Sequence, residues 1–252
     1  MHSLRESFEP VTRRRKTLEI HTDEESVITE LRHQFDTRNV DVIHHPLGSL
    51  DETGFVIIRT DDGEFQGALG IDHFEAILSP DSHPPWELAD TDHDHAELFR
   101  FLENTLFSSY SRRQMIATSR EIEERAWRVG RGRLYAGFQR AGALRAQADI
   151  YERFGNRESI TVAVFLDDQR DVAFPDPVTV ITDAESELGA FWFVVFDGGG
   201  NDLHQCALVA EERDPGQYYG FWTFEPAIVG ELFAYLERTY AVSEPESDDT
   251  TR

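Results

Sequence analysis

The chain has 252 residues, 40% of them hydrophobic and 12% aromatic, enough to bury a core without disulfide or metal staples. Its 48 Asp and Glu against 24 Lys and Arg leave a formal net charge of −24, which argues against a nucleic-acid partner because phosphate contacts need an accessible cationic face. Cys206 is the single cysteine, so an intramolecular disulfide and a Cys-based zinc site are both excluded, and no apolar run approaches the roughly 20 residues of a membrane span.

In chain order, Met1 to Pro10 lacks the continuous apolar core of a signal peptide, which predicts a soluble chain that stays in the cytoplasm. Residues 3–16 read as a short helix ending in the cations Arg13, Arg14, Arg15 and Lys16, where a helix dipole favours positive charge. A strand follows at Leu18 to His21. Asp23 is placed to cap a helix reaching about Arg38, with Val27, Leu31 and Phe35 on one face. Strands are expected at Val40 to His44, Gly54 to Arg59 and Phe65 to Ile71, the last two joined by an Asp61-Asp62-Gly63 turn. A short helix over 72–78 closes a first lobe, residues 1–78.

Residues 79–93 form a loop rich in Pro, Asp and His, and with a helix at 94–107 they make a linker over 79–110. The helix at 111–129 carries Met115, Ser119, Ile122, Ala126 and Val129 as one stripe. A strand at 133–139, a helix at 142–154 and strands at 160–166 and 178–182 come next. Phe191 to Phe196 is apolar throughout, as in a strand buried on both faces. A glycine turn at 198–200 leads to strands at Gln205 to Glu211 and Tyr218 to Phe224. Glu225-Pro226 then starts a helix with Ile228, Leu232, Leu236 and Tyr240 on its buried side. The second lobe spans 111–241, and an acidic, disordered tail occupies 242–252. Hairpin-joined strands beside helix-joined strands predict an α+β fold of two lobes, each a mixed or antiparallel sheet with flanking helices.

Several stretches invite a chemical reading and yield a plainer one. His83, Asp90, Asp92, His93, Asp94 and His95 crowd a loop without the spacing of a known metal geometry, and read as a solvated acidic loop. Gly198-Gly199-Gly200 joins two strands instead of opening a helix, and reads as a hairpin and not a phosphate cradle. Cys206 lies in an apolar strand and reads as inert core. No Gly-x-Ser-x-Gly elbow or nucleophile–base pair is visible, so no enzyme activity is expected. One group stands out: Ser119, Arg120 and Glu123 on the 111–129 helix, Gln139 and Arg140 after the next strand, and Trp192 and Trp222 on later strands. Aromatic walls with a few converging polar groups are what small-molecule pockets use, although core aromatics and surface ion pairs give the same pattern.

Together, Ser119-Arg120-Glu121-Ile122-Glu123, Gly137-Phe138-Gln139-Arg140, Tyr151-Glu152-Arg153, Phe191-Trp192-Phe193, Ala207 to Glu211 and Gly220 to Pro226 resemble the DICT sensory domain of diguanylate cyclases and two-component systems, over about residues 108–240. The acidic, lysine-poor form with an extra N-terminal lobe looks like a haloarchaeal, stand-alone branch. The resemblance implies a signal-input role, including light responses, with no enzymatic activity and no assigned ligand or cofactor. Family members are often fused to an output enzyme, so here the output would pass to a separate signalling protein or to a second copy. The expected function is a sensory protein that binds a small ligand and relays the change, and the alternative is a ligand-free interaction module. Of the 24 cations only Lys16 is a lysine, and so acidic a surface suits concentrated salt, where charge repulsion is screened; a halophile's protein is expected.

Overall fold

A computed structural model describes residues 1–35, 37–48, 54–74, 84–86, 100–167, 174, 177–183 and 186–242. The chain opens with a 3-10 turn, Leu4–Ser7, started by the Ser3 hydroxyl accepting the Glu6 amide, and runs into helix α1 (Phe8–Thr12). Helix α1 stops at Arg13, so the expected helix over 3–16 is shorter and its four cations do not all cap it. Lys16 instead begins strand β1 (Lys16–His21), drawn into the sheet by its amide donating to Asn39 O at 2.7 Å.

Helix α2 (Glu25–Phe35) buries Ile28, Leu31 and Phe35 and crosses from β1 to β2 (Val40–His45), which pairs parallel with β1. Strands β3 (Phe55–Thr60) and β4 (Phe65–Gly70) add antiparallel, giving the order β2-β1-β3-β4. A 3-10 turn, Ile71–Phe74, stands where the 72–78 helix was expected; residues 75–78 lie outside the described chain, as do all six candidate metal-loop residues, His83 and 90–95.

The second sheet has seven strands: β5 (Phe107–Ser111), β6 (Gly132–Phe138), β7 (Ile160–Leu166), β8 (Thr179–Thr182), β9 (Phe191–Phe196), β10 (Cys206–Asp214) and β11 (Gln217–Thr223), in the order β5-β11-β10-β9-β6-β7-β8. Pairing is antiparallel from β5 to β6 and parallel through β6, β7 and β8, so the sheet is mixed and the fold α+β. The expected helix over 94–107 overruns the structure. Its described part ends by Asn104, whose left-handed backbone (φ 54°) and amide bond to Trp222 O at 2.9 Å turn the chain into β5.

Helix α3 (Arg112–Val129) starts at a capping box between Ser111 and Gln114 and ends at Gly130 in the left-handed conformation. Of its expected stripe, Met115, Ser119, Ile122 and Ala126 are buried, while Val129, at the helix end, is only half-buried. The single helix expected over 142–154 is two, α4 (Ala141–Arg145) and α5 (Ala148–Gly155), because Gln147 leaves helical geometry (φ −118°, ψ 8°). Helix α6 (Pro226–Tyr240) carries proline in its first turn, as expected.

The seven-stranded sheet separates two apolar clusters. Helices α3 and α5 cover one face with Trp192, Phe196 and Trp222; α1 and α6 cover the other with Tyr135, Phe165, Phe193 and Phe221. Leu4, Phe8 and Val11, first in the chain, thus pack on the larger sheet. Leu18, Ile20, Val56 and Ile58 of the smaller sheet share one cluster with Met115 and Trp222. Asn39 fastens this junction: its amide group donates to Val11 O (3.1 Å) and Asn104 O (3.4 Å), and its carbonyl accepts from the Leu106 amide. Residues 84–86 are pinned to α3 and α5 by Trp86, which packs on Trp127 and lies under the Arg153 guanidinium.

Candidate functional site

Helical spacing puts Ser119 and Glu123 on one face of α3, over β6 and β9, with Arg120 turned toward the α4–α5 break. The Trp192 indole N–H, reaching up from β9, donates to Ser119 Oγ at 3.0 Å, and the Ser119 hydroxyl donates in turn to Met115 O at 2.9 Å. Glu123 is 1% exposed. Its Oε2 accepts from the Arg120 guanidinium and its Oε1 from the Tyr151 hydroxyl of α5 at 2.6 Å. Arg120 also donates to Gln147 Oε1 at the α4–α5 break. The ion pair is therefore buried, with both Glu123 oxygens and both terminal nitrogens of Arg120 hydrogen-bonded, the kind of condition under which a protein tolerates such a pair. Burial first, and then the Glu123 charge, hold the Tyr151 phenol well above its usual pKa, so it stays a proton donor.

These side chains close on each other. The space left among them is about 10 Å³, about the room of one water. Of the seven residues singled out in the sequence, Ser119, Arg120, Glu123 and Trp192 meet here. Gln139 stands one aromatic ring away: it donates to Ala190 O at 3.1 Å and accepts from Tyr218, whose ring meets Trp192 edge-on at 5.7 Å. Arg140 is exposed and reaches only Glu212, at 4.0 Å. Trp222 is buried elsewhere under α3, tilted against Phe107 and Tyr110 and beside Cys206. Gln147 was not singled out, and Tyr151 entered only through the family resemblance, not as a site residue. Their spacing of four residues in a segment read as one helix was the available signal that both face α3.

The remaining stretches resolve as follows. Cys206 is buried and its thiol is pushed up to about 12 by desolvation, which fits inert core. In the glycine turn, Gly199 has φ 60° and its amide donates to Asp197 Oδ1 at 3.0 Å. Asp197 also accepts the Arg133 amide and pairs with the Arg133 guanidinium at 2.8 Å, so the chain's own carboxylate fills the turn. Among the described residues, no three His, Cys, Asp or Glu side chains gather as metal ligands, and no helix is long and apolar enough to cross a membrane.

Residues 96–213 match the model of the DICT family, described as a sensory domain in diguanylate cyclases and two-component systems. The match spans α3, the sheet through β10 and every member of the Ser119–Glu123–Tyr151–Trp192 cluster, and it supports a signal-input role. No curated protein matches the chain. Among solved structures, a polyphosphate kinase from Porphyromonas gingivalis aligns at 14% identity and a TM-score of 0.36, over 99% of this chain and 51% of that one. The chain thus spans about half the length of that structure.

Proposed function

We propose that the protein is a signal-input module whose sensing element is the seam between α3, α5 and the sheet. The observation that carries this reading is the buried Arg120–Glu123 pair, hydrogen-bonded across to α5 and its start through Tyr151 and Gln147. A buried ion pair adds little net stability compared with apolar packing, so its presence under a helix suits a two-state element better than a staple. A small ligand enters by parting α5 from α3 and takes over the hydrogen bonds that Gln147 and Tyr151 supply. The change then passes to a separate signalling protein or a second copy of the chain. Light responses, two-component relays and cyclic-dinucleotide pathways are the settings that the family description suggests for such an input. No catalytic role is assigned, since the Ser119 hydroxyl is committed to Met115 O and Trp192 rather than to a base.

Mass spectrometry under native conditions, on the full chain purified from its source cells, tests the ligand. A small molecule is expected at near one per chain, with retention several-fold higher in Gln147→Ala, which removes the group that the ligand displaces from Arg120. Protein that is repeatedly empty overturns ligand binding. That outcome favours an interaction module without a ligand, a reading supported by the roughly 10 Å³ left among side chains that already satisfy each other.

A further inference from the structure

On the opposite face of the larger sheet from the α3 seam, a cleft of about 530 Å³ is lined by Arg5, Phe8, Arg38, Ser108, Arg213 and Tyr219. Its three arginines come from separate segments: the N-terminal turn, the α2–β2 connection and the end of β10. The tertiary fold, not a run of basic sequence, brings them together. The floor is aromatic. Tyr219 is 8% exposed, stacks on Phe8 with centroids 5.4 Å apart, and lies under the Arg213 guanidinium at 3.4 Å.

Charge within the cleft is unbalanced. Among the described residues, Glu211 is the one carboxylate on its lining, and two guanidiniums share it: Arg5 by direct contact and Arg213 at 3.6 Å. Arg38 is exposed and pairs with no carboxylate among the described residues. Three cations against one anion leave a local excess of about two positive charges, within a chain of net charge −24. A second cleft of about 640 Å³, at Arg13–Lys16, shows no such excess: Asp61, Asp62, Glu64 and Glu103 also line it, and Arg13, Arg14 and Arg15 pair with Glu9, Glu225 and Asp41.

We infer that the Arg5–Arg38–Arg213 cleft binds a small molecule carrying a dianionic phosphate monoester. Guanidiniums match phosphate oxygens in pairs, and the volume falls in the range of small-molecule sites. This site does not rest on the function proposed for the α3 seam, and either can fail without the other.

The test is calorimetric titration of the full chain with phenyl phosphate, with succinate as a dianion of different geometry. It is run in the lowest-salt buffer in which circular dichroism shows the wild type folded. Wild type is expected to bind phenyl phosphate at least tenfold more tightly than succinate. Arg38→Gln, an exposed position, is expected to weaken phenyl phosphate binding at least tenfold with the fold intact, and Arg38→Glu to abolish it. Arg13→Gln, outside the cleft, should leave it unchanged. Absence of binding by wild type, equal affinity for succinate, unaltered binding by Arg38→Gln or an equal loss in Arg13→Gln would each overturn the proposal.

Discussion

Burying a carboxylate to 1% exposure is tolerable only when its charge is matched, and Glu123 has Arg120 on one oxygen and Tyr151 on the other. Removing one partner strands the other. Arg120→Met is therefore expected to destabilise the protein by about 3–5 kcal/mol, because it leaves an unpaired buried carboxylate. Arg120→Met combined with Glu123→Leu should recover much of that loss. Equilibrium unfolding of the single and double variants measures the coupling directly. A double variant as unstable as Arg120→Met alone would mean that packing, not charge, dominates the seam.

The one lysine obeys the same physics with a different sign. Lys16 donates to Glu103 O and, at 3.4 Å, to Thr105 Oγ1, and desolvation lowers its pKa from 10.5 to about 8 against the opposing pull of Glu103. Below pH 8 both folded and unfolded chains carry the proton, and the folded state bears the full cost of burying it. Between about 8 and 10.5 the unfolded chain holds more protons, so stability rises with pH. The buried Tyr110 and Tyr151, whose pKa values burial raises, turn the curve down above their normal value of 10. Cys206, whose thiol burial pushes up from 9.0 to about 12, also opposes the rise above about pH 9, so denaturant midpoints are expected to climb from pH 7 to 9 in the wild type and not to climb in Lys16→Met.

At the scale of elements, β6 shows why a glycine opens the stretch Gly137-Phe138-Gln139-Arg140. A Cβ at Gly137 would fall 2.1 Å from the ring of Phe193, its partner across the β6–β9 ladder, and that ring is itself fully buried. Gly137→Ala should cost about 1–3 kcal/mol through overpacking, read as a lowered urea midpoint with an unchanged m-value. Periodicity made most elements legible because it reports which face is buried. The α3 stripe, the wholly apolar β9 and the Pro-initiated α6 all follow from it. It does not report which strand lies alongside, so the parallel β6–β7–β8 run could not be read from it. Strand β5 was missed because Phe107-Ser108-Ser109-Tyr110-Ser111 buries only Phe107 and Tyr110, too irregular a pattern for either period.

The candidate site divides for a related reason. Ser119 and Glu123 share a helix face, a placement that spacing alone settles. Trp192 and Trp222 share a sheet face, but β10 lies between their strands and they pair there with Ala210 and Leu208, two residues apart, which puts their backbones roughly 12 Å apart. Arg140 caps α4 and points to solvent. Sequence order gives no measure of these distances.

For the molecule as a whole, the question is whether the excess of acid acts on stability. Exposed pairs such as Arg13–Glu9 and Arg15–Asp41 contribute about 0–1 kcal/mol each, and salt weakens them. Repulsion among the uncompensated carboxylates of a chain with net charge −24 is spread over the entire surface and opposes the compact state. At about 1 M salt the Debye length falls to roughly 3 Å, and both contributions are screened. The repulsion is the larger, because acidic residues outnumber basic ones by 48 to 24 and most of the excess has no cation to lose. The melting temperature is therefore expected to rise by several degrees from millimolar to molar sodium chloride. An unchanged value would mean that the surface charge is already dispersed enough to be harmless in dilute buffer. The same screening reaches the arginine cleft with opposite consequence: salt that steadies the fold weakens phosphate binding. The two dependences should cross when stability and affinity are followed on one preparation.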